Sequence, residues 1–160
     1  AEPLVQAGQV YIFGGGHVGQ ALVPVLAGVG FRVTVFDNRP ELADAEHFPA
    51  ADRVILGDDR QIAEKVTLKP QDYVVVMSPG HQSDFALLEQ VLRYPLRYVG
   101  CIGSRHKIAR SQELLRQAGI PEEAIQSVHS PIGLPILAQT PAEIAISIAA
   151  EMIRCRAEAQ

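Results

Sequence analysis

The stretch "YIFGGGHVGQALVPVLAGVGFRVTVFDNRP", Tyr11 to Pro40, decides how the chain is read. A short β-branched and aromatic run meets a glycine cluster, a stretch of helical periodicity follows, and a second apolar run ends on Asp37. Gly14, Gly16 and Gly19 form G-x-G-x-x-G between a predicted strand and a predicted helix, with Gly15 inside the same turn. In that setting the first glycine permits a tight turn, the second lets a pyrophosphate approach the backbone, and the third lets the helix lie close to the strand. Free N–H groups and the helix dipole then attract an anion. Asp37, 18 residues beyond Gly19, is placed to accept the hydroxyls of an adenosine ribose, or else caps and solvates a loop. Arg39 could swing over a 2′-phosphate, so NAD and NADP both stay open. His17, at the helix start, either faces a phosphate as a donor or is an exposed turn residue.

Outward from this stretch the alternation continues. Strands are predicted at Gln9 to Phe13, Arg32 to Phe36, Arg53 to Leu56, Tyr73 to Met77 and Tyr98 to Ile102, each short and rich in Val, Ile or Tyr. Their near-continuous apolarity suits strands covered on both faces, hence a parallel sheet. Helices are predicted at His17 to Gly28, Arg60 to Val66, Asp84 to Arg93 and Ser104 to Ala118, the last stopped by Gly119 and Pro121. Right-handed crossovers make this an α/β fold, a doubly wound, mostly parallel, Rossmann-like sheet in a single domain over residues 1–160. Towards the C-terminus, "SPIGLPILAQ" predicts an irregular loop. Thr140, Pro141 and Glu143 then predict a sharply capped helix whose apolar sides carry Ile144, Ile148 and Met152 beside Ala145, Ala149 and Ile153.

Length and charge narrow the function. The chain has 160 residues, 48% of them hydrophobic, which suits one well-buried domain. A formal charge of -4 without any Lys/Arg block argues against nucleic acid as a partner. No apolar run approaches a membrane span and no signal-peptide order is present, so a soluble, cytoplasmic chain is expected. Cys101 and Cys155 lack a metal-ligand spacing, and no metal site is expected.

In an open parallel sheet the loops after the strands meet at one edge, where ligands gather. After the third strand, Asp58 either serves a helix start or approaches an adenine amino group. After the fourth, His81 is a candidate polar contact to a ligand, set against an ordinary loop residue. After the fifth, Gly103, Ser104, Arg105 and Lys107 form a candidate second anion site, because cations at a helix N-terminus oppose the dipole unless an anion is present. No Ser/His/Asp set, zinc helix or phosphate loop accompanies these, and no substrate domain follows. A complete stand-alone dehydrogenase is therefore not expected.

The combination of "YIFGGGHVGQALVPVLAGVGFRVTVFDNR", "VVVMSPGHQSD", "YVGCIGSRHK" and "PIGLPILAQTPAEIAISIAAEMI" resembles the C-terminal Rossmann domain of the xanthine dehydrogenase accessory proteins, the XdhC/CoxI family. The resemblance runs from about Val10 to Ile153. It implies a protein that binds molybdenum cofactor (molybdopterin), assists its maturation and passes it to a molybdenum hydroxylase of the xanthine dehydrogenase type, an accessory protein more than an enzyme. It also implies that a separate N-terminal domain normally precedes this one, so the chain would be the C-terminal domain of a longer or divided protein. With such a cofactor, the glycine turn would cradle one phosphate region, Ser104, Arg105 and Lys107 another, and the loop Pro131 to Pro135 would shield the ligand. Two alternatives stand beside it. One is an NAD(P)-sensing regulatory domain, whose pattern the chain follows through Asp58. The other is an NAD(P)-dependent oxidoreductase, with His81 and Cys101 as its chemistry. A homodimer is the base-rate expectation for assembly.

Overall fold

The computed structural model describes residues 8–159. Strands β1 (Gln9–Phe13), β2 (Arg32–Asp37), β3 (Arg53–Leu56), β4 (Tyr73–Val76) and β5 (Tyr98–Cys101) form one parallel sheet in the order β3-β2-β1-β4-β5. The central strands are apolar on both sides because both sides are covered: Val10, Ile12, Phe13 and Val74 to Val76 have no exposed surface. Helices are α1 (His17–Gly28), α2 (His81–Val91), α3 (Arg105–Gln117), α4 (Glu122–Gln126) and α5 (Pro141–Glu158). On one face α1 and α5 pack together over Ile12, Val33, Val35 and Val75. On the other, α2, α3 and α4 cover Phe13, Phe36, Val74 and Val76. The chain leaves β1 towards β2 and leaves β4 towards β5, so the strand order reverses between β1 and β4. A crevice must open there, at the carboxyl ends of the strands.

Helix α5 is fixed at its start and again midway along its length. Thr140 Oγ1 accepts the Glu143 amide at 3.1 Å while Glu143 Oε1 accepts the amides of Thr140 at 3.1 Å and Gln139 at 2.9 Å, the capping box that the sequence predicts. Further along, buried Glu151 accepts the Tyr98 hydroxyl at 2.6 Å and the Gly133 amide at 3.1 Å, and Ser147 Oγ donates to the Leu134 carbonyl at 2.6 Å. The proline-rich loop is thereby clamped to α5. Of the apolar positions expected on this helix, Ala145, Ile148, Ala149 and Met152 are buried and Ile144 is half-buried, whereas Ile153 is 37% exposed.

Three local expectations are corrected. The predicted helix Arg60 to Val66 is only a 3-10 turn, Ile62–Glu64. Ile62, Val66 and Leu68 are all buried in one core cluster, and a continued helix would turn Leu68 away from the face that holds the other two. Helix α2 begins at His81, ahead of the predicted start at Asp84, with Gly80 as an N-cap that makes no side-chain bond. Helix α4 was not expected, although Pro121 followed by Glu122 and Glu123 is a helix-start signal. Beyond α4, His129 pairs with β5 through a single bridge: its amide donates to Val99 at 2.8 Å, and Cys101 donates to its carbonyl at 3.1 Å. This is where a sixth strand would lie in the order 3-2-1-4-5-6.

Candidate functional site

The glycine turn stands at the reversal point. Gly14 has φ +114°, and a Cβ there would lie 2.5 Å from the Met77 carbonyl oxygen, so conformation and space both demand glycine. At Gly19 a Cβ would come 2.8 Å from the Gly14 carbonyl oxygen, which is the close helix-to-turn packing expected of the third glycine. Gly16 is different. Its backbone is extended, φ −76°, and a Cβ would meet nothing within 4 Å. It is also the N-cap of α1, and no side chain caps the first amides of that helix. A cavity of about 210 Å³ lies over it, lined by Gly16, His17, Val18, Arg39, Pro79 and Ile102 among others.

Gly15 and Asp37 turn inward. The Gly15 amide donates to Asp37 Oδ2 at 2.5 Å, and a Cβ at Gly15 would strike the ring of Phe48 at 2.7 Å. Asp37 is 2% exposed and also accepts three bonds from Arg39: the amide at 2.8 Å, Nε at 2.9 Å and one terminal nitrogen at 2.8 Å. Burial alone would raise the Asp37 carboxyl, but the Arg39 guanidinium and the two amides outweigh it and hold it below the ordinary carboxylate value. The guanidinium, not the carboxylate, is therefore what borders the cavity.

The other loops arrange their charges less simply than the sequence suggests. Asp58 is exposed and accepts the Arg60 amide at 2.9 Å, while its neighbour Asp59 is buried and is bonded by Asn38 at 3.2 Å. Burial, with the Asp37 charge added, raises the Asp59 carboxyl. His81 is the first residue of α2, and its side chain lies outside the described residues. Ser104 caps α3 by accepting the Lys107 amide at 3.2 Å, Gly103 has φ +152°, and Arg105 is exposed. Lys107 reaches back to Asp84 at 3.3 Å. Asp84, 1% exposed, also accepts the Ser78 hydroxyl, and burial still raises its carboxyl above the ordinary value. The predicted cation set is thus divided: Arg105 faces outward, and Lys107 braces α3 against the start of α2.

Asp59, Asp84 and Phe48 were missed in the sequence. Phe48 had a signal, being the one Phe, Tyr or Trp in the stretch "ELADAEHFPAAD"; Asp59, between Asp58 and Arg60, and Asp84, between Ser83 and Phe85, had none. Cys101 is 5% exposed, and burial pushes its thiol up to about 12, so it is an inert core residue. Among the described residues no helix is long and apolar enough to cross a membrane.

Comparison with known proteins places this geometry in a family. The chain is 32% identical over 148 residues to a Bacillus subtilis protein named as a probable subunit of xanthine dehydrogenase, covering 92% of this chain and 43% of that one. It is 30% identical over 149 residues to the uncharacterized Escherichia coli protein YqeB, covering 92% of this chain and 27% of that one. A crystal structure described as a xanthine dehydrogenase from Bacillus halodurans superposes with a TM-score of 0.85 at 34% identity, over 96% of this chain and 44% of that one. The chain thus spans less than half the length of each of these relatives. The family model of the XdhC Rossmann domain matches residues 10–152, and on that match the chain belongs to the XdhC family as its Rossmann domain.

Proposed function

We propose that this domain binds a phosphate-bearing cofactor on its glycine edge and serves in the maturation of a xanthine dehydrogenase-type molybdenum hydroxylase. The observation that carries the reading is Gly16, bare of neighbouring atoms above the uncapped start of α1. The residues present fit such a group: amides at the start of α1 would hold a phosphate, and Arg39 and His17 border the same cavity as donors. Molybdopterin, or NAD(P) as ligand or regulator, has the phosphate this turn suits. When bound, a molybdenum cofactor supplies the hydroxylase with its redox centre; this chain's residues would hold and orient it and then release it to the enzyme. The names of the relatives, two of which refer to xanthine dehydrogenase, support that association. The oxidoreductase alternative gains little, since its only thiol at this edge, Cys101, is buried and held protonated.

The test is an anaerobic calorimetric titration of the wild type and of Gly16→Val with molybdopterin, NADH and NADPH. The valine fits the folded backbone but fills the phosphate position. A loss of about tenfold or more in affinity for whichever ligand the wild type binds is expected, equivalent to roughly 1.4 kcal/mol. Equal affinity in the variant would remove the glycine turn from the binding site.

A further inference from the structure

We infer that the cleft between α2 and α3 is a second ligand site, made for a planar heterocycle that carries a phosphate. It lies on the face of the sheet opposite α1 and shares no lining residue with the cavity over the glycine turn. Its volume, about 910 Å³, is within the range of small-molecule sites. On α3, His106 and Arg110 are four residues apart and so share one face; on α2, Gln82, Phe85 and Glu89 share another. Arg60, from the loop after β3, completes the lining.

The charges there lack internal partners. Among the described residues, Arg60 and Arg110 form no ion pair, nor does Glu89, the one carboxylate of the lining, so the two arginines leave the cleft with a net positive charge in a chain whose net charge is -4. Arg60, Arg110 and the His106 ring are exposed, with a half-buried Phe85 ring and the Gln82 amide beside them. Cations supply charge-assisted bonds to a phosphate, an aromatic ring supplies a stacking surface, and an amide suits the polar edge of a heterocycle.

The cleft is also braced. Gln90 accepts the Ile62 amide at 3.0 Å and donates to the carbonyls of Asp59 at 2.6 Å and Ala86 at 2.7 Å, which fastens the loop bearing Arg60 onto α2. Lys107, through Asp84, fastens the start of α3 to the start of α2. These contacts hold three separate segments in fixed relation without using the cationic side chains that line the space. Preorganisation of this kind lowers the cost of ordering a site when a ligand arrives.

The experiment is a calorimetric titration with GMP as probe, and with guanosine and inorganic phosphate as separate arms. GMP should bind more tightly than either part alone. Arg60→Ala combined with Arg110→Ala should weaken it by about tenfold or more, the scale of a lost hydrogen bond to a charged group. Phe85→Leu, which keeps an apolar side chain in the core, should weaken it less. The loss in the double variant should be the same when it is made in a Gly16→Val background, which separates this site from the glycine turn whatever becomes of the function proposed there. The inference is overturned if GMP does not bind, if inorganic phosphate binds as well as GMP, if the double variant with an unaltered unfolding curve binds normally, or if Gly16→Val abolishes binding.

Discussion

At the glycine turn, three residues of one type answer three different physical demands, and their substitutions should separate accordingly. Alanine at Gly14 is strained by its positive φ and collides with the Met77 backbone; alanine at Gly19 collides with the Gly14 carbonyl. Each should cost about 1–3 kcal/mol in urea unfolding. Valine at Gly16 meets no atom but is a poorer N-cap than glycine, so it should cost no more than about 1 kcal/mol in the same measurement. The motif was legible in the sequence because its spacing carries the packing demands at Gly14 and Gly19, and the place at Gly16 proposed for a ligand. Asp84 was not legible, because its importance comes from burial between Ser78, just before α2, and Lys107, in the first turn of the sequence-distant α3. Its raised pKa has a sign that can be checked. A carboxyl raised above its unfolded value stabilises the fold below the ordinary carboxylate range, and that contribution is lost as pH rises through the raised value. The stability of Asp84→Asn relative to wild type should therefore improve from about pH 4 to pH 7 in a series of urea titrations. Asp37, lowered, has the opposite sign and is common to both proteins, so it cancels from the comparison.

At the scale of elements, the two helix starts on the α1 and α5 face are built in opposite ways. Thr140 and Glu143 satisfy the first amides of α5 internally, whereas Gly16 leaves those of α1 without a side-chain cap. Thr140→Ala should cost about 0.5–2 kcal/mol in thermal unfolding and leave ligand binding at the glycine turn unaltered. A loss of binding together with a normal melting curve would mean that the start of α5 touches the ligand. The capping box could be read directly from "TPAE", since every partner lies within one turn. The segment Arg60 to Val66 could not be read so, because its helical spacing competes with the need to bury Leu68, and only the core's position decides that contest.

For the molecule as a whole, the parallel sheet and its edge of converging loops were recoverable from the alternation of apolar runs and helical stretches. The pairing of charges across that edge was not, since Arg39 and Lys107 each turned to an aspartate whose burial no local pattern announces. The core's continuity gives a global prediction. Cys101 is sealed between β5 and its cover, so its alkylation by iodoacetamide at neutral pH should proceed only through global unfolding, and its rate should follow the urea unfolding curve. Labelling that is rapid in the absence of denaturant would show that β5 opens locally. The single bridge at His129 carries a different consequence. A bare outer strand offers its amides and carbonyls to any passing chain, and growth of the sheet from molecule to molecule is the hazard. Here the outer side of β5 bonds to His129 for one residue, after which Pro131, unable to donate, carries the backbone away. At the far side β3 has only four residues and begins with Arg53. Both margins of the sheet therefore resist the addition of another strand, and a protein that docks on this domain is left to meet its helices and loops.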